Sequence, residues 1–260
     1  MALDQHNRGV DQESRDIPLA ISDKLAGRQC IIDQNPSAER AGIRLGMPAG
    51  AALSLLDSLQ VSVRDQRAEQ AGLKRLASWC YQCSSQVCID HQRNSLLLEV
   101  GASQRLFGPA ESLAGRIITG LGQLGYRAAG GIAPTPEAAH LAARHGLHIR
   151  SFTDIRKSIA ALDISSLHLQ PAEVRARKKM GFRTIAEVLR LPRKALARGM
   201  GLAVSDYLDR LLGQRPEPGK TFRPPDSFSA GMDLPETTHT QGLVFPLKRL
   251  VQELCGVLRA

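Results

Sequence analysis

The sequence predicts an α+β fold, with helices packed on a mainly antiparallel sheet, that continues into an all-helical unit. Three observations predict it. From residue 64 to about 145 the patterns run helix, strand, strand, helix, strand, helix, the order of a layer with helices on one sheet face. Beyond Asp154 the apolar spacing is helical throughout. A Pro-rich stretch, QRPEPGKTFRPP, then separates the helical unit from a last amphipathic segment.

At 260 residues and 43% hydrophobic content the chain can bury a real core, enough for two or three units. No apolar run reaches the ~18 residues of a membrane span, and MALDQHNRGVDQESRD has neither the basic region nor the apolar core of a signal peptide. A cytoplasmic protein with no membrane partner is expected. The net charge of +9 favours polyanions. Five cysteines lack the regular spacing of a secreted disulfide framework, so reduced thiols are expected.

Residues 1–16 are polar and aperiodic and read as a disordered tail. PLAIS and RQCIID are short strand candidates around the turn-prone DKLAG, and PSAERAGIRLGMP supplies a short helix broken by Gly42, Gly46 and Pro48. From Arg64 a helix runs to about Cys83, with strands QVCID and SLLLEV joined across HQRN. The run NSLLLEVG has the apolar density of a buried strand. A second helix opens at Pro109 with Leu113, Ile117, Leu121 and Leu124 on one face, and YRAAGGIA is the next strand. Thr135 is placed to cap a helix whose first residue is Pro136, with Glu137 in the first turn. Further on, Thr184 to Glu187 is a capping box, Pro192 can start a helix, and Gly213 suits a helix end. Leu247, Leu250, Val251, Leu254 and Leu258 form one apolar face of a last helix that needs something to pack on.

Cys80, Cys83, Cys88 and His91 have a spacing from which a zinc knot could be built. Against it, Leu73, Leu76, Ala77 and Cys80 fall at i, i+3, i+4 and i+7, which makes Cys80 the end of a core stripe, and Cys88 sits in a strand. The core reading is preferred, and no cofactor is expected. Asp90 and Glu99 read as structural or surface acids, since one carboxylate rarely makes a metal site. No P-loop and no convincing nucleophile–His pair is present.

The segments GIRLGMP, SLLLEVGASQRLFG and GIAPTPEAAHLAAR, followed by GFRTIAEVLRLP, resemble the Y-family (UmuC/DinB-like) translesion DNA polymerases. LLLEVGASQRLFG and RTIAEVLRLPRKALAR are similar to the degenerate branch, the ImuB-like mutasome proteins. The resemblance covers roughly residues 17 to 260. It implies a fingers-like subdomain at 17–64, a palm-like α+β domain at 65–152, a helical thumb with a helix-hairpin-helix at 153–215, a linker at 216–227 and the start of a truncated little finger at 228–260.

Two-metal phosphoryl transfer needs carboxylates that hold two cations ~3.5 to 4 Å apart. Active members of the resembled family carry an Asp-Glu pair directly before the strand core, where this chain has Asn94 and Ser95. Neither residue holds a divalent cation as a carboxylate does. The family's first-strand acid, in a DxDxFF-like segment, has no counterpart upstream of Ile17. Pro36 and Glu39 stand where a Tyr and an Arg clamp the triphosphate, and His140 stands where a lysine is expected. The resemblance therefore implies no catalytic residues here.

What survives is binding. Between Pro171 and Arg198 lie nine Lys and Arg residues against only Glu173 and Glu187. KKMGFRTIAE resembles a helix-hairpin-helix, whose backbone amides meet a phosphate without reading sequence. The candidate DNA contacts are Arg177, Lys178, Lys179, Gly181, Arg183, Thr184, Arg193 and Lys194, with Arg183 in place of the second hairpin glycine. The expectation is a non-catalytic homologue that binds DNA and acts in DNA repair, translesion synthesis and damage-induced mutagenesis as an adaptor. By resemblance its partners would include a sliding clamp, an error-prone replicative-type polymerase and a RecA-like accessory protein. The alternatives are a weakly active translesion polymerase and a truncated, non-functional relative.

Overall fold

The structure, a computed structural model, describes Asp4 and residues 17–217, 219–225, 227, 229–232 and 241–258. The expected tail, 1–16, lies outside the described residues save Asp4. That residue is buried and pairs with Arg127 at 3.3 Å, so at this one position the reading as a tail fails. The chain forms two compact units, one of Met1–Ser103, Thr119–Ala128 and Thr221–Ala260, the other of Gln104–Ile118 and Ala129–Lys220.

The first unit opens with a three-stranded sheet in the order β2-β1-β3, made of β1 (Leu19–Leu25), β2 (Arg28–Gln34) and β3 (Gln60–Val63). β1 and β2 are antiparallel across a turn of Ala26 (φ 50°) and Gly27 (φ 81°), two left-handed residues that match the twist of a tight hairpin. The expected turn at DKLAG is thus only its last two residues, because Asp23 to Leu25 pair with β2. β3 runs parallel to β1, which demands a crossover, and the helices α1 (Pro36–Arg40) and α2 (Ala49–Leu55) supply it. Ala20, Ile31, Ala38, Ile43, Ala52 and Leu59 form the core beneath. Asn35 ties the entry together: its carboxamide oxygen accepts from Leu19 N (3.1 Å) and Ala38 N (2.9 Å), and its amide donates to Ile17 O (2.7 Å).

After β3, Arg64 clamps Glu69 through two bonds of 2.7 and 2.8 Å, fixing the start of α3 (Gln66–Cys80). The predicted stripe is buried: Leu73, Leu76, Ala77 and Cys80 are all 5% exposed or less. The strands β4 (Val87–Asp90) and β5 (Ser95–Leu98) follow as an antiparallel hairpin. Three features depart from the sequence reading. Leu96, Leu97 and Leu98 are half-buried, because β5 has a ladder partner only in β4. β5 stops before Glu99, whose carboxylate accepts from Gly101 N at 2.7 Å while its own amide still donates to Gln86 O at 3.0 Å. YRAAGGIA is no strand beyond an isolated bridge between Ile132 and His148, since a lone extended segment with no neighbouring ladder satisfies nothing.

The Pro-rich linker is tied down at Thr221 and Phe222. Thr221 bridges to Cys88, Phe222 N donates to Val87 O (2.7 Å), and Tyr81 Oη donates to Phe222 O (2.8 Å). The tie sets Thr221 and Phe222 against β4, which a composition rich in proline conceals.

The second unit holds α4 (Gln104–Phe107), the first part of α5 (Ala110–Gln123), α6 (Pro136–His145), α7 (Phe152–Ile159), α8 (Pro171–Lys179), α9 (Ile185–Leu189), α10 (Arg193–Met200) and α11 (Leu202–Leu211). Thr135 caps α6 as predicted, accepting from Ala138 N (3.1 Å) while its hydroxyl donates to Leu211 O (2.9 Å). Ile149, Ile155, Ile159, Ile164, Ile185 and Leu211 are nearly inaccessible and anchor one core that joins α6 to α11. Gly131 approaches α6 so closely that a Cβ would strike the Ala143 backbone.

α12 (Gln241–Leu258) returns to the first unit and packs on α3. The face it buries is not the predicted one. Arg249 and Glu253 are 4% and 2% exposed, whereas Leu247, Val251, Leu254 and Leu258 are 57%, 56%, 38% and 77% exposed. Gly256 explains the choice: its missing side chain lets α12 seat on the Trp79 indole, where a Cβ would collide.

Candidate nucleic-acid interface

The basic stretch folds as α8, a turn, α9 and α10. Glu173 accepts from Gln170 N at 2.9 Å and caps α8. The helix ends at Met180, and Gly181 takes φ 93°, a conformation that a side chain would strain. Glu187 then reaches back over the start of α9, its Oε2 accepting from Arg183 N (2.6 Å) and Thr184 N (3.0 Å). Those two amide bonds hold the Glu187 carboxyl below the usual carboxylate range.

This geometry changes what the turn can offer an anion. Gly181 N donates to Lys178 O and Phe182 N to Arg177 O, both at 3.1 Å, so with Arg183 and Thr184 every amide from 181 to 184 has an internal acceptor. A phosphate would meet side chains rather than the backbone. Gly181 and Thr184 shape the turn.

The cations divide into two groups. Arg177 is 4% exposed and turns inward, its Nη1 donating to Glu173 O at 2.6 Å. Lys178, Lys179, Arg183 and Arg193 are exposed, as are Arg175, Arg190 and Arg198. Several of these have carboxylate neighbours: Lys178 Nζ lies 3.0 Å from Asp163 Oδ1, Arg193 pairs with Asp209, and Arg190 acts on the Glu187 carboxylate. Asp163 is held well below the usual carboxylate range, chiefly by the Ser165 hydroxyl and amide and then by Lys178. Lys194 follows Arg193 in the first turn of α10. The capping acid Glu187 was visible in the sequence by spacing, and Glu173 was read there only as a charge. Asp163 and Asp209 carry no such signal, since the fold alone brings them to partners 15 or 16 residues away.

The hairpin of β4 and β5 holds Asn94 and Ser95. Asn94 takes φ 48° at the end of the turn and Ser95 pairs with Asp90. Asp90 Oδ1 accepts from Gln92 N (2.9 Å) and Arg93 N (3.0 Å), and Arg93 lies 3.5 Å from its other oxygen. Glu99 is committed to Gly101. Among the described residues no group of three or more His, Cys, Asp or Glu could hold a metal ion. The donor set of this hairpin does not fit a pair of divalent cations. Burial, with Cys83 alongside, pushes the Cys80 thiol up to about 12, which suits a core cysteine. His140, half-buried on α6, stands where the family expects a lysine, and the exposed Pro36 and Glu39 lie on α1.

A small β-crossover sheet, a helix-flanked hairpin and a helical unit with an outward basic face together define a Y-family polymerase-like fold. Residues 5–144 match the impB/mucB/samB family, and the chain belongs to it. Protein ImuB of Caulobacter vibrioides is 33% identical over 188 residues, 72% of this chain and 41% of that protein, so the chain spans about two-fifths of the relative's length. DinB from Sulfolobus solfataricus superposes with a TM-score of 0.65 at 17% identity, covering 85% of this chain and 67% of that one. The insertion ternary complex of Dbh DNA polymerase gives 0.66 at 18% identity, with 83% and 66% covered. At that identity the structural likeness concerns the fold. Among the described residues no helix is long and apolar enough to cross a membrane.

Proposed function

We propose that this chain is a non-catalytic member of its family that grips the DNA phosphate backbone and serves damage-tolerant synthesis as an adaptor in the cytoplasm. One observation carries the reading. The hairpin that should present metal ligands offers Asn94 and Ser95, with both nearby acids committed to backbone amides, while the helical unit keeps a row of exposed cations. The domain ranges that go with it are 17–64 for fingers, 65–152 for palm, 153–215 for thumb, 216–227 for linker and 228–260 for the start of a little finger. A sliding clamp, an error-prone polymerase and a RecA-like protein are the partners this role calls for.

The test joins two measurements on the full chain. Binding to a primer–template is titrated against salt for the wild type and for Lys178→Ala/Lys179→Ala/Arg183→Ala. Primer extension is then run with magnesium on damaged and undamaged template. Salt-dependent binding without extension supports the adaptor. Template-directed extension that needs dNTPs supports the weakly active polymerase, and absence of binding supports a non-functional relative.

A further inference from the structure

We infer that Asp163 is a built-in competitor of DNA: it holds the Lys178 ammonium in the free chain, and a backbone phosphate must take that cation from it. The inference rests on the phosphate grip of the proposed function and is indifferent to whether the chain catalyses. The backbone fixes the carboxylate in place. Residues 160–164 run as a strap along the turn between α8 and α9: Ile164 N donates to Arg183 O (2.8 Å), Ile185 N to Leu162 O (2.9 Å) and Ala186 N to Ala160 O (3.0 Å), with Asp163 bridged to Thr184 among them. Asp163 also caps the single 3-10 turn Ile164–Ser166, its Oδ1 accepting from Ser165 N (2.7 Å) and Ser165 Oγ (2.5 Å). Lys178 Nζ is the third donor on that same oxygen, at 3.0 Å. Held by the strap and by Ser165, the carboxylate stays where it is, whereas the flexible four-carbon stem of Lys178 can turn away from it. The change of partner is therefore made by the lysine.

Exposure separates a competitor from a guide. The side chains of Asp163 and Lys178 are 50% and 46% exposed, so the pair lies open to the solvent an incoming phosphate would cross. An exposed carboxylate at that place repels the phosphate as well as engaging the nearest cation. It keeps its charge throughout the neutral range, because the Ser165 hydroxyl and amide, then Lys178, hold it well below the usual carboxylate range. The Asp209 side chain is only 9% exposed and leaves its partner Arg193 outward, the arrangement of a guide. Lys179 and Arg183 form no ion pair among the described residues, so their phosphate contacts require no partner to be given up. They are the internal standard against which Lys178 is measured. Exposed pairs are weak, so Asp163 tempers the grip without abolishing it.

The test titrates the full 260-residue chain into a fluorescein-labelled primer–template duplex at about 0.1 M salt and across a salt series. Asp163→Asn removes the charge and keeps an oxygen for the Ser165 donors, so the variant should melt as the wild type does. It should bind about three- to tenfold more tightly, with the salt slope unchanged because the number of phosphates met is the same. Lys178→Ala should weaken the wild type less than Lys179→Ala does, and in the Asp163→Asn background the two alanine changes should weaken binding equally. Asp206→Asn removes another exposed acid, paired with Arg215 at 2.9 Å, and should leave affinity within about twofold, since salt screens a charge that shares no cation with the site. Unchanged or weaker binding by Asp163→Asn overturns the proposal and makes the residue a cap or a guide. An equal gain from Asp206→Asn overturns it in favour of overall charge, as does a loss from Lys178→Ala that is the same in both backgrounds. If Asp163→Asn melts early, the two single lysine changes in the wild type still decide, and equal losses there overturn the proposal. A chain that binds no duplex with or without Asp163 removes the phosphate grip itself, and both readings fall together.

Discussion

The hairpin of β4 and β5 and the helical turn between α8 and α9 use carboxylates in the same way and end with opposite capacities. In the hairpin, Asp90 and Glu99 bend onto nearby amides, and Asn94 and Ser95 offer an amide and a hydroxyl. In the helical turn, Glu187 does likewise, and the backbone loses its free donors. The difference lies in what surrounds them. The turn is bordered by Lys178, Lys179, Arg183 and Arg193, whose long side chains carry charge beyond the capped backbone, while the hairpin has no reserve of donors of the right kind. A carboxylate oxygen that caps an amide is engaged where a metal would need it, whereas a phosphate would be met by cations that capping leaves outward.

The largest expected effect tests the cationic side. Removing Lys178, Lys179 and Arg183 together should lower DNA affinity by roughly two orders of magnitude at about 0.1 M salt and reduce the salt slope by about three, since each phosphate contact contributes ~0.9 to it. An unchanged slope would collapse the contrast between the two regions. In the hairpin, Asp90→Ala removes the single oxygen that accepts from two amides and should cost about 1–2 kcal/mol, lowering the melting temperature by roughly 2–8 °C. A variant as stable as the wild type would show that the carboxylate is not committed to the turn.

The Glu187 cap sharpens the comparison through pH. Its folded pKa is depressed, so its contribution is fully present above the ordinary 4.5 and is lost as pH falls through the lower folded value. Amide exchange at Arg183 and Thr184 should therefore accelerate with a midpoint below 4.5, and Glu187→Gln should show no such midpoint. A midpoint at or above 4.5 would sink the cap. The smallest expected effect is none at all: Asn94→Asp/Ser95→Glu should restore no primer extension, because neither change supplies the acid that the resembled family carries in its first strand.

Local signals were legible and long-range ones were not. The Thr135 cap, the Thr184 to Glu187 box, the Leu73 to Cys80 stripe and the paired strands around HQRN all depend on residues within a turn or two of one another, and each formed where its spacing placed it. YRAAGGIA failed because a strand depends on a neighbour the segment itself does not encode. The C-terminal helix was recognised as amphipathic but given the wrong buried face, since glycine carries no hydrophobic signal and Gly256 is the residue that admits Trp79. The counter-ions of Lys178 and Arg193 were invisible for a related reason: pairs made by folding leave no spacing to read.

The seam at Thr221 and Phe222 bears on the order in which the molecule is made. The Tyr81 hydroxyl and the Phe222 carbonyl it contacts are 141 residues apart, and the first unit is assembled from three separated stretches of chain. A ribosome delivers the β4–β5 hairpin long before the segment that completes its edge. The helical unit, by contrast, is finished by Lys220. Synthesis thus exposes a half-built hairpin edge for the time needed to add ~100 residues, several seconds or more, and a chaperone that shields nascent strands would find its target there.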